Sequence, residues 1–227
     1  DCRRALATPV DDRLFFAGEA CSDHDYSTAH GAYLTGVAAA ELGLGVALTL
    51  PFKGDVSDLQ LDAMAGQIAA TQPDMVFNHG SAGAYAKLIA KARKTRIKTT
   101  FMAVNSGSTQ LAADLGPLAH GMVFAQVVPS PWERKHAISR EFQEAMAKSR
   151  PGVALSYGGL EGFLTAKALV MALQATGKNL TRPSFVSALE HSNFDLGGMT
   201  VRYSNQSHDG SRFVDLSMYS RDDRFIH

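Results

Sequence analysis

The sequence is poor in the residues that would advertise a chemistry. Of its 227 residues only two are cysteine, Cys2 and Cys21, too few for a disulfide framework or for a zinc site closed by cysteine alone. Two unpaired thiols are the simplest state, with a single Cys2–Cys21 bridge open to an oxidising compartment. Charge of one sign is also lacking: 22 Lys and Arg balance 22 Asp and Glu, and the pI is about 7.3. That removes the bulk electrostatic case for nucleic acid or an anionic membrane as a partner. The longest mostly apolar helical run, residues 160–173, carries Glu161 and Lys167 and falls short of the about 20 residues that a membrane span needs. The chain opens on Asp1 with neither a basic nor an apolar leader segment, so an export signal is expected to have been removed or never included. No low-complexity segment and no solenoid period is present.

What is there is 45% hydrophobic and 19% charged, the balance of a globular chain long enough to bury a sizeable core. The organising stretch is residues 74–93, DMVFNHGSAGAYAKLIAKAR. An apolar run ends at Asn78 and His79, a loop with Gly80 and Gly83 follows, and Tyr85, Leu88, Ile89 and Ala92 then recur at helical spacing. Strand, tight loop and helix are expected, and the same unit repeats. Strands are expected over 13–17, 46–50, 75–78, 98–104 and 121–128, with helices over 28–42, 58–71, 109–115, 133–148, 160–175 and 182–190. Ser57 and Gln60 form a capping box, and Thr181 is placed to cap the last helix. Such alternation points to an α/β fold, a parallel sheet flanked by helices on both faces. Near the C-terminus, residues 197–204 and 211–220 alternate apolar with polar around the turn NQSHDG, and an antiparallel hairpin is expected there.

From about residue 44 onward the chain resembles the ABC-transporter substrate-binding proteins of the branched-chain amino acid (leucine-binding) family. The stretches that carry this are GDVSDLQLDAMAGQIAATQPDMVF, GSAGAYAKLIAKARK, GMVFAQVVPSPWE, SYGGLEGFLTAKALVMAL and FDLGGMTVRYSNQSHDGSRFVDL, in that order. The resemblance implies one lobe of a type I periplasmic-binding fold, most of the N-terminal lobe being missing. It also implies a non-enzymatic periplasmic role without cofactor: capture of an amino acid or small carboxylate and delivery to ABC permease subunits, with a second chain as one source of the missing lobe. Residues 13–40, RLFFAGEACSDHDYSTAHGAYLTGVAAA, are similar instead to the C-terminal flavin-binding signature of flavin amine oxidases. That alternative implies FAD contacts at Gly18, Glu19, Thr28 and Ala29. Cys21 and Ser27 depart from the signature, and no G-x-G-x-x-G fingerprint seats a pyrophosphate. The domain reading is therefore 1–43 as an oxidase-like βα segment completing the same sheet, and 44–227 as the binding-protein domain.

In open α/β sheets ligands sit outside the carboxyl ends of the strands. The resemblance places Gly80, Ser81 and Ala82 in one such loop, Asn105 in the next, Tyr26 as an apolar lid and Gln126 as a polar contact. Asn105 stands where relatives often carry an acidic residue facing an ammonium, which leaves an uncharged or carboxylate ligand equally open. Other candidates have plainer readings. Asp23, His24, Asp25 and His30 lack metal-ligand spacing. Ser207, His208 and Asp209 are contiguous turn residues, whereas a triad needs a buried, oriented base. His79 reads as a structural histidine, Glu161 as a helix-dipole carboxylate, and the run Lys91, Arg93, Lys94, Arg96 and Lys98 as a solvated face at a helix end.

Overall fold

Two compact units, Asp1–Met102 and Ala103–His227, make up the chain, and a computed structural model describes residues 46–52, 55–78, 82–104 and 107–227 of it. The expected strand 13–17 and helix 28–42 lie outside the described residues.

In the first unit, helix α1 (Asp58–Thr71) begins where the capping box predicts. Gln60 N donates to Ser57 Oγ at 3.3 Å, and Ser57 N donates back to Gln60 Oε1 at 2.9 Å. Leu61, Ala65 and Ile68, at helical spacing, are its buried face. Gln72 takes the left-handed conformation at φ 50° and Pro73 blocks continuation. Strand β1 (Met75–Asn78) follows, then helix α2 (Ala82–Lys94) and strand β2 (Thr100–Val104), whose first three residues fall in this unit. Tyr85 of α2 is fully buried, its hydroxyl 3.1 Å from Val76 O and 2.9 Å from Met102 O, so the helix is pinned across the two strands. Burial raises the Tyr85 phenol well above its usual pKa. Two members of the basic run are engaged in this unit: Lys91 pairs with Asp62 at 2.7 Å, and the Arg93 guanidinium lies 5.1 Å from the centre of the Phe101 ring. Residues 46–50, expected as a strand, are irregular.

The second unit starts within β2. It continues through helix α3 (Ser108–Leu115), a 3-10 turn (Gly116–Ala119), strand β3 (Val123–Gln126), and helices α4 (Ala137–Ser149), α5 (Tyr157–Thr176) and α6 (Arg182–His191). Four short strands close it: β4 (Asn193–Asp195), β5 (Thr200–Arg202), β6 (Asp215–Tyr219) and β7 (Phe225–Ile226). Helix α4 begins four residues later than its periodicity suggests. Ile138 N, which would close the turn from Arg134, donates to Gly197 O instead, and Arg140 and Gln143 side chains hold the carbonyls of Arg134, Lys135, Pro131 and Glu133. The core packs Val128, Ile138, Phe142, Leu160, Leu164 and Phe194 beneath α5.

The C-terminal pairing differs from the expected hairpin in its partners. Residues 200–202 pair with 193–195 around Gly197 and Gly198, whose φ values of 104° and 90° suit a hairpin turn. The NQSHDG turn does fold back, with Ser204 N donating to Ser207 O, but the return strand leaves after Gly210 and β6 joins β3 antiparallel. The sheet is therefore mixed: helix-linked β1 and β2, and on β3 the antiparallel additions β6 and then β7. No helix among the described residues is long and apolar enough to cross a membrane.

Candidate functional site

Tyr26, Gly80, Ser81 and Asn105 lie outside the described residues, as do Gly18, Glu19, Thr28 and Ala29. Ala82 is the first residue of α2, half-buried, in the first unit. Gln126 ends β3 in the second unit, and a polar network is built on it.

Gln126 is fully buried, and its amide is satisfied at both ends. Nε2 donates to Ser217 Oγ at 2.9 Å, and Oε1 accepts from Ser108 Oγ at 3.3 Å. The register explains the first contact: Phe124 lies opposite Ser217 and Gln126 opposite Asp215, so these four side chains share one face of the antiparallel pair. Ser108 reaches the same place because Gly107, at φ 71°, turns the chain into α3.

The network continues from the start of β6. Asp215 Oδ1 accepts the Leu216 N–H at 2.8 Å, and Oδ2 lies 2.9 Å from His227 Nδ1. A carboxylate only accepts, so His227 Nδ1 donates to it, and the other ring nitrogen, Nε2, lies 3.0 Å from the Tyr157 hydroxyl. Tyr157 is the first residue of α5, which Ser156 caps by accepting from Gly159 N at 3.0 Å, and Tyr157 N donates to Thr109 Oγ1 at 3.3 Å. The N-termini of α3 and α5 thus meet at the carboxyl end of β3. Below them lies an aromatic floor. Trp132 stacks on Phe225 with ring centres 5.4 Å apart and planes within 7°, and both meet Tyr157 edge-on at 5.2 Å. Trp132 remains 40% exposed and the Asp215 side chain 42%.

Asp215, His227 and Tyr157 thus form one continuous run of side-chain contacts. Burial pushes the Tyr157 phenol up to about 12, against the smaller opposing influence of Ser217 and Ser130, and the nearby Asp215 and Glu133 charges push the same way as burial. The proton therefore stays on oxygen at neutral pH. Ser207, His208 and Asp209 are closed as a turn: Ser207 Oγ donates to Asp209 Oδ2 at 3.1 Å, while His208 faces Glu190 at 3.3 Å. The β3 end thus joins a buried polar network to an aromatic cluster, with Trp132 and Asp215 partly exposed at its edge.

A model of the periplasmic binding protein family matches residues 20–220. The chain belongs to the periplasmic binding protein family. Comparison with curated proteins returned no match. Among solved structures, the chain is similar to a possible leucine/isoleucine/valine-binding protein from Rhodopirellula baltica, at 26% identity and a TM-score of 0.74, covering 91% of this chain and 57% of that one. A leucine-binding protein from Thermotoga maritima shares the fold at 16% identity and TM-score 0.71, covering 91% and 58%. So does a branched-chain amino acid ABC transporter protein from Thermus thermophilus solved with bound valine, at 20% identity and TM-score 0.67, covering 86% and 55%. The chain spans less than two thirds of the length of these structures. The fold is of the type I periplasmic-binding kind.

For a periplasmic binding protein the carboxyl ends of the strands are the face to inspect, and sequence reasoning placed Gln126 there but missed its partners. Asp215 and Ser217 are brought to it by strand pairing across about 90 residues, and His227 follows through β7, which no local pattern reports; Ser108 arrives through the turn into α3. Trp132, the single tryptophan, was the one signal that could have been used. Replacing Gln126 by alanine is expected to strand the Ser108 and Ser217 hydroxyls in a buried site, costing about 1–3 kcal/mol. A lowered urea midpoint at unchanged slope is the measurement.

Proposed function

We propose that this chain is a solute-binding domain of an ABC-type uptake system for branched-chain amino acids or related small molecules. It works outside the cytoplasm, is not an enzyme, and delivers its ligand to permease subunits. The observation that carries the reading is the family match over residues 20–220, supported by the polar, aromatic-floored surface at the end of β3. Its structural relatives include a possible leucine/isoleucine/valine-binding protein and one solved with valine. Gln126, Ser108 and Ser217 hold the surface in shape, and capture follows from fixed hydrogen-bonding groups beside exposed apolar area rather than from bond-making chemistry.

The test is a thermal melt of the purified full chain against leucine, isoleucine, valine and a set of aromatic and small carboxylic acids. A true ligand at 100 times its dissociation constant stabilises by about 2.7 kcal/mol, a rise of roughly 5–10 °C for a chain of this size. No rise with any compound would reject capture.

A further inference from the structure

Trp132 is a ring held on one side and open on the other. It stacks on Phe225 with centres 5.4 Å apart and planes within 7°, and Tyr157 stands perpendicular to both with its centre 5.2 Å from each. Three nearly equal distances set Tyr157 beside the stacked pair, on the side of the indole where Phe225 lies; a ring over the far face would stand much farther from Phe225. No other ring of the described residues touches Trp132, and the residue is 40% exposed. Its supports are fixed in turn. Phe225 also packs edge-on against Phe124 and Tyr219, and Phe124 and Tyr157 are buried. The indole has therefore surrendered its rotational freedom in folding and has little left to lose when something lies down on it. An ordered π-face open to water is complementary to a second flat ring.

Building on the solute-binding reading, we infer that the open face of Trp132 is a stacking platform, so that this chain prefers small solutes carrying a planar aromatic ring over aliphatic solutes of the same size. The discrimination is one of shape and charge distribution. A saturated ring is puckered, cannot lie flat at stacking distance, and lacks the quadrupole that orients one aromatic ring on another.

The experiment compares benzoate with cyclohexanecarboxylate on the full chain by calorimetry, with leucine as an aliphatic control. The two acids share a carboxylate on a six-membered ring and differ in planarity. Wild type is expected to bind benzoate at least about threefold more tightly than cyclohexanecarboxylate, the lower end of what an aromatic pair contributes. Benzoate is also expected to shift the emission of Trp132, the only tryptophan. Trp132→Leu brings the ratio to near one, while Trp132→Phe, which keeps a flat ring, retains the preference; a melting curve confirms that each variant is folded. If wild type binds the two acids equally, if it binds leucine and neither acid, or if Trp132→Leu keeps the wild-type ratio, the inference falls and solute capture stands. A wild-type emission unmoved by saturating benzoate overturns it in the same way, without recourse to a variant. If wild type binds none of the three, the inference falls and capture of these solutes falls with it.

Discussion

Replacing Phe124 by alanine is expected to destabilise the second unit by about 3–5 kcal/mol, the usual cost of emptying a phenylalanine site in a packed core. Phe124 lies in the middle of β3, has no exposed surface, and meets the Phe225 ring edge-on with centres 5.5 Å apart. It also lies opposite Ser217 and on the same face as Gln126, so the cavity would open directly beneath the polar network. The surrounding side chains are rings and strand residues that cannot collapse into the gap without disturbing the Trp132–Phe225 stack. With whole-domain stabilities of about 5–15 kcal/mol, the loss is a large fraction of what holds the unit together. Chemical denaturation monitored by tryptophan fluorescence reads it directly, because Trp132 is the only tryptophan. A variant within about 1 kcal/mol of wild type would show that β3 is not the centre of this core.

Gly197→Ala is the second large effect expected. Gly197 has φ 104°, a conformation that costs an L-residue roughly 1–3 kcal/mol, and an added Cβ would sit 3.0 Å from the backbone nitrogen of Ile138. That nitrogen donates to Gly197 O at 3.0 Å and starts α4, so relief of the contact would pull apart the junction between hairpin and helix. Gly198→Ala provides the internal comparison. Its φ of 90° carries a similar backbone cost, but the nearest atom to a Cβ there is His136 Nδ1 at 3.8 Å. The 197 variant is therefore expected to melt at a lower temperature than the 198 variant, and equal melting temperatures would remove the steric argument. The two glycines share one anchor: Asp195 Oδ1 accepts the N–H groups of Gly197 and Gly198 at 2.9 and 3.0 Å, which lowers the Asp195 pKa below the usual carboxylate range. A depressed carboxylate supports the fold above its unfolded pKa and loses that support as pH falls through the folded value, so the hairpin is expected to loosen on acidification.

The sequence by itself determined the elements whose causes are local. The Ser57–Gln60 capping box started α1 at Asp58, Thr181 started α6 at Arg182, and the run from Met75 through Lys94 became strand and helix where the change from apolar run to helical spacing said it would. Each depends on neighbours within about four positions, which is the reach of a helical turn or a cap. Only the tertiary structure decided the strand partners. The alternating stretches 197–204 and 211–220 satisfy the hairpin pattern equally well with each other or with other strands. The turn at Gly197 and Gly198, with positive φ at both, pairs the first with β4, while the second pairs with β3. The same long-range pairing set Asp215 opposite Gln126 and, with the turn back through β7, brought His227 to Asp215. A carboxylate, an amide and an imidazole that stand far apart in the chain became one surface because a β-ladder joins residues by register rather than by distance in sequence.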